Sequence, residues 1–368
     1  MKIGFVAEPY EESGASGMGY LVRELVKNLP LAGKEHAFTI YSSKPIQKEF
    51  VTVPFKNVLV PRGLVGKLLW FARTKEDVDV LLFITPLLPL ILPRRIKAVP
   101  ICPELVSQKI VPGSLKEKVI AIIRDQILLP QCFKRASHFI TISHATQKDM
   151  IKHYRIPAEK ILVQYIGFQE LAHCPDTGAP EEAGGAPYFF FTGRAKPRKN
   201  VHGIIAAFVE FKKRTTGSCK LIIAGKADGA YRDQLAKIIR EGGVERDVVF
   251  VGYVSTEQLA SYYCHALALV FPSFNEGFGM PVAEAMSVGA PVITSNISSL
   301  PEVAGDAGLL VDPHSPEDIS RAMERLFTDA ALRRELSEKG PAQAHKFSWQ
   351  AATERYVTLL NSLATNKK

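Results

Sequence analysis

The chain has 368 residues, 46% of them hydrophobic and 23% charged, with five cysteines and a formal net charge of +9. The length exceeds what one ordinary core fills and predicts two domains, and the composition is that of a soluble globular protein. The five cysteines are widely spaced and include no C-x-x-C pair, which argues against a disulfide framework or a zinc site and indicates a reducing compartment.

Neither a signal peptide nor a transmembrane helix is expected. The apolar run after Lys2 ends at Glu8, which is too early for a signal peptide. The apolar run over residues 80–92 is too short to span a bilayer and contains two prolines. The sequence therefore predicts a cytoplasmic protein.

The positive charge is concentrated in the first half of the chain. Residues 1–180 carry a net charge of +8, whereas residues 181–368 carry +1. A basic face indicates an anionic partner, which is a nucleic acid, an acidic lipid or a phosphorylated substrate; the alternative is an ordinary solvated surface. Nucleic acid ranks last, because the basic region has neither interleaved aromatic residues nor a recognition motif.

Strands and helices alternate over residues 1–168, the first predicted domain. Short apolar runs predict strands, and apolar residues at helical spacing predict helices. In chain order they are strand 2–7, helix 19–33, strands 37–43, 57–61, 78–84 and 98–102, helix 114–136, strand 138–143, helix 146–154 and strand 160–167.

Residues 169–187 are rich in Pro, Gly and Ala and predict a linker. The alternation resumes over 188–345, the second predicted domain, and residues 346–368 predict a last helix that can cross back to the first domain. Within the second domain, Ser255 and Gln258 form a capping box that opens one helix, and Ser315 and Pro316 begin another. The remaining elements are strands 188–193, 219–225, 247–252, 266–273, 291–295 and 308–312, and helices 200–214 and 232–243.

Alternation on both sides of a linker predicts an α/β fold with two Rossmann-like parallel-sheet domains that face each other across a cleft. Ligands of such sheets bind outside the carboxyl ends of the strands. The cleft is therefore the expected site.

The stretch FNEGFGMPVAEAM, residues 274–286, follows one of the predicted strands. Pro281 suits the first position of a helix, and Gly277 to Met280 then form the turn that precedes it. Exposed amides and the helix dipole favour an anion such as a phosphate at this turn.

Two glutamates flank the turn, Glu276 in the loop and Glu284 in the first turn of the predicted helix. Neither carboxylate helps to bind an anion, but both are suited to accept hydrogen bonds from ribose or sugar hydroxyls. A ligand with phosphates in the middle and a polyhydroxylated group at each end is a nucleotide sugar. The alternative is that Glu284 only complements the helix dipole and that Glu276 is solvated.

A basic loop, FTGRAKPRKNVHG over residues 191–203, follows the first strand of the second domain and carries four cations within six residues. This density of charge between a strand and a helix is suited to a pyrophosphate, although a solvated charge run is the plainer alternative. The cations are Arg194, Lys196, Arg198 and Lys199.

A glycine-containing loop lies between the first strand and the first helix of the chain. Gly17 and Gly19 allow a close approach of the backbone to a ligand. A dinucleotide fingerprint is weak here, because Val22 occupies the position of its last glycine.

Over nearly its whole length the chain resembles a retaining glycosyltransferase of the GT-B fold, similar to glycosyltransferase family 4. The two glutamates of NEGFGMPVAEAM carry the most specific part of the resemblance, and PRKN and the Gly17/Gly19 loop add to it. The resemblance implies that Glu276 meets the donor sugar and Glu284 the ribose. It implies that Arg198 and Lys199, or Arg194, neutralise the pyrophosphate.

The remaining roles follow from the same resemblance. The amides of the turn would hold the phosphates and the sugar, and the loop around Tyr253 would lie near the base. The implied catalytic residues are Glu276, Arg198, Lys199 and Glu104, and the implied donor-binding residues are Gly17, Gly19, Arg194, Tyr253, Gly277, Phe278, Gly279, Met280 and Glu284.

One departure from the family concerns a His-Asp pair that faces the transferred sugar. In this chain Pro103 replaces the histidine and Glu104 the aspartate, and neither His144 nor His202 is an obvious substitute. In such enzymes the departing phosphate is thought to take the acceptor proton, so no side-chain base is obligatory.

The expected function is transfer of a hexose to a hydroxyl of a glycan or lipid-linked acceptor in bacterial polysaccharide assembly. GDP-mannose is the first choice of donor, with UDP-glucose or UDP-N-acetylglucosamine close behind. The alternative is a catalytically weakened homologue that binds a nucleotide sugar, or a partner subunit. The resemblance implies that no cofactor or metal is needed. The D-x-D sequence of Asp77 and Asp79 opens a strand and is interpreted as surface charge.

A membrane contact is a further expectation. Residues 114–130 place apolar side chains at helical spacing among Lys116, Lys118 and Arg124. Such a helix can rest on an anionic bilayer at the inner face of the membrane and bring the cleft to a lipid-linked acceptor. The alternative is a helix that faces the core of the first domain.

Overall fold

A computed structural model of the protein describes residues 1–8, 17–47, 51–61, 77–84, 92–104, 128–171, 174 and 178–365. The chain divides into two compact units, Phe168–Phe347 and a unit formed by Met1–Gly167 with Ser348–Lys368. Most of the helix expected over 114–130 lies outside the described residues. Among the helices that are described, none has both the length and the apolar character needed to cross a membrane.

The first unit contains a parallel sheet of seven strands in the order β3-β2-β1-β4-β5-β6-β7. Its central strand β4 is buried at all four positions, as expected for a parallel sheet covered on both faces. The strands are β1 Lys2–Val6, β2 Ala37–Ser42, β3 Phe55–Leu59, β4 Val80–Phe83, β5 Lys97–Cys102, β6 Phe139–Thr141 and β7 Ile161–Val163, and the described helices up to this point are α1 Gly17–Ala32, α2 Leu129–Arg135 and α3 His144–Tyr154.

The D-x-D aspartates lie at the start of β4 and pair with neighbouring strands. Asp77 accepts hydrogen bonds from Lys2 Nζ at 3.1 Å and from Arg95 Nη1 at 2.5 Å. The Asp79 carboxylate accepts the backbone N–H of Lys2 at 2.9 Å. These carboxylates therefore fasten β1 and the segment before β5 to the start of β4.

The second unit contains a parallel sheet of six strands in the order β10-β9-β8-β11-β12-β13. Its elements are β8 Tyr188–Thr192, α4 Val201–Arg214, β9 Lys220–Ala224, α5 Gly229–Gly242, β10 Val248–Phe250, α6 Thr256–His265, β11 Ala268–Phe271, α7 Met280–Ser287, β12 Val292–Ser295, α8 Leu300–Ala304, β13 Leu309–Val311, α9 Pro316–Thr328 and α10 Ala330–Ala344. The strand order reverses between the neighbours β8 and β11. A ligand of an open parallel sheet binds at such a switch point, beyond the carboxyl ends of the strands.

Local sequence signals set the helix starts of this unit. The predicted capping box is confirmed, because Ser255 Oγ accepts from Gln258 N and the Gln258 side chain accepts from Ser255 N. Ser315 caps α9 in the same way, and Pro316 is the first residue of that helix.

The start of α7 differs from the expectation. The helix begins at Met280, so Pro281 is its second residue. Glu284 consequently lies in the second turn, and the prediction that it lies in the first turn was wrong. The reason is that Gly279, at a φ of +115°, already closes the preceding turn.

After α10 the chain returns to the first unit as α11, Trp349–Thr365. The Trp349 ring packs edge-on against Tyr20 of α1, with 6.1 Å between ring centroids. Gly167 lies against the same tryptophan, where a Cβ at position 167 would come within 2.4 Å of Trp349 Cδ1. The residue at which the chain leaves this unit is thereby restricted to glycine.

A disulfide joins Cys174 to Cys264 of α6, with 5.7 Å between the Cα atoms. The expectation of a chain without disulfides was wrong for this pair, because a pair 90 positions apart has no local spacing pattern. Next to it, Ser261 Oγ donates to the Gly178 carbonyl at 3.1 Å and Tyr262 OH to the Glu182 carboxylate at 2.8 Å. The described part of segment 169–187 is therefore fastened to α6.

We expect reduction of this disulfide to lower the free energy of unfolding by about 2–4 kcal/mol, because the bond closes a long loop in the unfolded chain. The measurement is urea denaturation with and without dithiothreitol. Cys174→Ser is the matched control, since its stability should resemble that of the reduced wild type and should not respond to the reductant. Identical wild-type curves under both conditions would contradict the bond.

Candidate functional site

The loops that follow β8 and β11 meet at the switch point of the second sheet. The Asn200 side-chain amide donates to the carbonyls of Pro272, at 3.1 Å, and Pro313, at 2.7 Å. The backbone N–H of Phe274 donates to the Arg198 carbonyl at 3.0 Å. The predicted basic loop and the predicted glutamate loop are thus bound to each other through the main chain.

Asn200 has the backbone conformation that makes this contact possible. Its φ of +59° lies in the left-handed region, which asparagine tolerates better than most residues. It joins the short 3₁₀ turn Pro197–Lys199 to α4. Gly203, in the first turn of α4, leaves room for it, because a Cβ there would lie 2.3 Å from Asn200 Oδ1.

The Glu276 carboxylate lies between two cations of the basic loop. Lys199 Nζ is 2.6 Å from Oε1, and Arg198 Nη1 is 3.3 Å from Oε2. Arg198 also donates to the carbonyl of Asn275. Lys199 Nζ lies 4.6 Å from the centroid of the Phe271 ring, so the ammonium also has a cation–π contact. We call Glu276, Arg198 and Lys199 the ion cluster.

The charge state of the ion cluster follows from its surroundings. The side chain of Glu276 is only 9% exposed, and burial alone would raise the pKa of its carboxyl. The positive charges of Lys199 and Arg198 outweigh that effect, so the pKa lies below its ordinary value. The cluster therefore holds two cations and one carboxylate and has one positive charge in excess.

Two serines of the loop after β12 hold the main chain of Glu276. Ser298 Oγ accepts from the Glu276 N–H at 3.0 Å and donates to its carbonyl at 2.8 Å. Ser299 Oγ lies 3.0 Å from the same carbonyl and 2.8 Å from the carbonyl of Phe278. Ser298 adopts a φ of +63°, a conformation that is uncommon for serine. The orientation of Glu276 is thus fixed at the main chain as well as at the carboxylate.

The glycine turn between the two glutamates is closely packed. Gly279 has a φ of +115°, and a Cβ on it would lie 2.7 Å from Leu300 Cδ2, so a larger residue does not fit. Gly277 and Phe278 are buried, whereas Met280 is partly exposed. Gly279 has no side chain with which to cap α7, so the dipole of the helix is directed at whatever occupies the turn.

Glu284 is buried on the side of α7 that faces α6. Its Oε2 accepts a hydrogen bond from Tyr263 OH at 3.1 Å. Burial raises the pKa of the Glu284 carboxyl to about 7, and the Tyr263 hydroxyl and the Lys199 charge offset only part of that effect. The two glutamates therefore differ in charge near neutral pH, since one is ionised and the other is balanced between its two forms.

The structure does not bring all four predicted cations together. Arg194 pairs with Asp228 at 2.8 Å on the surface, where each side chain is about two thirds exposed. Lys196 is exposed as well. Tyr253, predicted near the base, is 80% exposed in the loop after β10. Of the four predicted cations, Arg198 and Lys199 contact Glu276.

The site residues predicted in the first unit lie on two elements. Gly17 and Gly19 occupy the first turn of α1 rather than the loop before it, which lies outside the described residues. Pro103 and Glu104 follow β5 directly. The Pro103 carbonyl accepts from Thr146 Oγ1 of α3 at 3.2 Å, so the main chain at Pro103 is held by α3.

Sequence reasoning missed three residues that contact the two glutamates. Ser298 and Ser299 belong to a polar run immediately after a buried strand, which is a usable signal at the carboxyl end of a parallel sheet. Tyr263 has no such signal, because an aromatic residue within an amphipathic helix predicts core packing.

Comparisons with known proteins find sequence similarity over part of the chain. Residues 177–343 match the family model described as Glycosyl transferases group 1. The chain is 32% identical over 235 residues to O-antigen chain mannosyltransferase B of Escherichia coli, across 62% of this chain and 61% of that protein. It is 31% identical over 242 residues to the serotype-specific mannosyltransferase WbdA of Escherichia coli, across 62% of this chain and 30% of WbdA. Both alignments span less than two thirds of the relative's own length.

Similarity to solved structures extends over both units. The structure of Anabaena Alr3699/HepE in complex with UDP-glucose matches 98% of this chain and 100% of its own chain, with a TM-score of 0.73 at 18% identity. The fold is that of the GT-B glycosyltransferases. The predicted fold class, with two Rossmann-like parallel sheets, is thereby confirmed. The region that the family model matches, 177–343, lies in the second unit, which also carries the ion cluster.

The raised pKa of Glu284 predicts a dependence of stability on pH. The carboxyl ionises near pH 4.5 in the unfolded chain and near 7 in the native protein. The native state consequently binds more protons between these values, and stability falls as the pH rises through that window. Relative to Glu284→Gln, the wild type should lose about 3 kcal/mol from about pH 4 to about pH 8.

Urea denaturation of both proteins at a series of pH values measures this difference. Glu245→Gln is the control for the loss of a carboxylate, because Glu245 lies exposed on the surface. A difference between wild type and Glu284→Gln that stays constant over the whole range contradicts the ionisation assigned to Glu284.

Proposed function

We propose that this chain is a metal-independent retaining glycosyltransferase that transfers a hexose from a nucleotide-diphosphate sugar to a hydroxyl. The observation that carries the proposal is the ion cluster beside the glycine turn, at the switch point of the sheet in the second unit. Two preset cations, an uncapped helix start and a buried carboxylate combine there within two adjoining loops. This is the chemistry that a charged diphosphate linked to a polyhydroxylated sugar requires.

Each part of the donor has a matching group in the second unit. The excess positive charge of Arg198 and Lys199 suits the diphosphate, and the amides at the start of α7 extend that field. Glu276, ionised and held at its main chain, accepts hydrogen bonds from the sugar hydroxyls. Glu284, one turn and a half into α7, accepts hydrogen bonds from the ribose.

The reaction requires stabilisation of charge rather than a strong side-chain base. The bond between the anomeric carbon and the phosphate oxygen breaks, and the acceptor oxygen forms a bond to that carbon on the same face. The acceptor proton passes to the departing phosphate oxygen. Lys199 and Arg198 stabilise the negative charge that develops on the diphosphate, and they are preorganised for it because Glu276 already fixes them.

GDP-mannose is the first choice of donor, since two mannosyltransferases of Escherichia coli are among the relatives. UDP-glucose and UDP-N-acetylglucosamine stay open, and a structural neighbour was solved with UDP-glucose. The acceptor is a hydroxyl of a glycan or of a lipid-linked sugar in bacterial polysaccharide assembly, and the place of action is the cytoplasmic face of the membrane.

A second candidate function rests on Pro103. A proline in place of the family's histidine removes a group that would face the transferred sugar. A chain with this change can be a weakened homologue that binds a nucleotide sugar, or a partner subunit of an active enzyme.

Thermal shift combined with donor hydrolysis separates the two candidates. GDP-mannose, UDP-glucose and UDP-N-acetylglucosamine are each added to the full chain without metal and in the presence of EDTA. A glycosyltransferase should be stabilised by one donor and should hydrolyse that donor slowly without an acceptor. Stabilisation without hydrolysis or transfer supports the weakened homologue. No stabilisation by any of the three nucleotide sugars contradicts both the glycosyltransferase and the weakened homologue, and leaves the partner subunit.

Variants of the two glutamates should affect different kinetic quantities, turnover for Glu276 and nucleotide affinity for Glu284. Glu276→Gln should lower kcat by about 10²–10³, because charge develops on the sugar that it contacts. Glu284→Gln should mainly weaken binding of the nucleoside diphosphate, by about tenfold, because ribose is present in donor and product alike. Steady-state kinetics and calorimetric binding measure the two effects, and Glu245→Gln serves as the exposed control. Unchanged diphosphate affinity in Glu284→Gln contradicts the ribose contact.

A further inference from the structure

We propose that Tyr263 is a positioning residue for ribose recognition, which holds the Glu284 carboxylate in the orientation and charge state that the ribose hydroxyls require. The inference rests on the proposed function, because it concerns the same donor site. It adds a residue of α6, which lies outside the two loops that carry the ion cluster.

The contact is buried on both sides. Tyr263 is fully buried, Glu284 is 8% exposed, and 3.1 Å separates the hydroxyl from Oε2. An ionised carboxylate only accepts hydrogen bonds, and a phenol has a single proton to donate. While Glu284 is ionised, the Tyr263 hydroxyl is therefore the donor of this hydrogen bond and Oε2 is the acceptor.

The tyrosine itself is held by the sheet. Its ring packs edge-on against Phe190 of β8, with 5.4 Å between the ring centroids and 86° between the planes. Phe190 in turn stacks on Tyr262 at 5.0 Å. The hydroxyl thus approaches α7 from a rigid support, and a carboxylate bound to it cannot rotate freely.

The second consequence of the contact concerns charge. Among the described residues, the groups that act on the Glu284 carboxyl are Tyr263 from α6 and Lys199 from the turn before α4, and both lower its pKa against the effect of burial. The carboxylate form accepts hydrogen bonds from hydroxyls more strongly than the neutral acid does. Without the phenol hydroxyl, the pKa would rise further and less of the carboxylate would be present at neutral pH.

Tyr263→Phe removes only the hydroxyl and tests the proposal. The probes are GDP and UDP, together with their 2′,3′-dideoxy forms, which lack both ribose hydroxyls. We expect the variant to bind the better ribonucleotide about tenfold more weakly near pH 7, and to bind the dideoxy form as the wild type does. The acid limb of the affinity profile should also move to higher pH.

Tyr262→Phe is the matched control. It removes the same atom from the neighbouring residue of the same helix, but the Tyr262 hydroxyl donates to Glu182 rather than to Glu284. We expect this variant to keep the wild-type preference for ribose and the wild-type pH profile.

The outcomes separate this inference from the proposed function. If Glu284→Gln loses the preference for ribose while Tyr263→Phe keeps it, the ribose contact stands and the role of Tyr263 is wrong. If Tyr263→Phe weakens both forms of the nucleotide equally, or if Tyr262→Phe has the same effect, the role is structural and the inference fails. A wild type that binds no nucleotide overturns the proposed function itself, and one that binds both forms equally overturns the ribose contact and this inference together.

Discussion

The buried carboxylate of Glu276 is the constraint on which the second unit depends. Removing a charge from water costs several kcal/mol, and two cations on the neighbouring loop compensate for that cost. Because Lys199 and Arg198 follow β8 whereas Glu276 follows β11, the ion cluster joins the loops on the two sides of the switch point. Loss of Glu276 would leave two neighbouring cations without their common counter-ion, and loss of either cation would weaken the compensation of the buried carboxylate. The ion cluster therefore favours the arrangement in which the two loops meet.

This arrangement differs from the other charge pair of the same loop. Arg194 and Asp228 meet in solvent, where an ion pair contributes little and is screened by salt. The ion cluster is partly shielded and attached to the main chain through Ser298, so its excess positive charge has a fixed direction. A field that exists before binding requires no reorganisation when an anion enters, and that is how a small cluster can stabilise charge strongly.

The sequence predicted much of the fold because alternating apolar runs and helical periodicity are local properties. It also singled out the loops after β8 and β11, which the structure brings together, since glycine, proline and charge occur there within short spans. Three features lay beyond it. The backbone angle of Gly279, which moves Glu284 into the second turn, depends on packing against Leu300. The bond from Cys174 to Cys264 and the contact from Tyr263 to Glu284 join residues 90 and 21 positions apart, where no periodicity operates.

The last turn of α6 serves two neighbours at once. Ser261, Tyr262 and Cys264 hold the segment that enters the second unit, and Tyr263, between them, contacts α7. Each residue added to or removed from a helix rotates everything beyond it by about 100°. A single insertion or deletion within α6 would therefore turn all four side chains away from their partners together. The length of this helix is therefore fixed by its two sets of contacts.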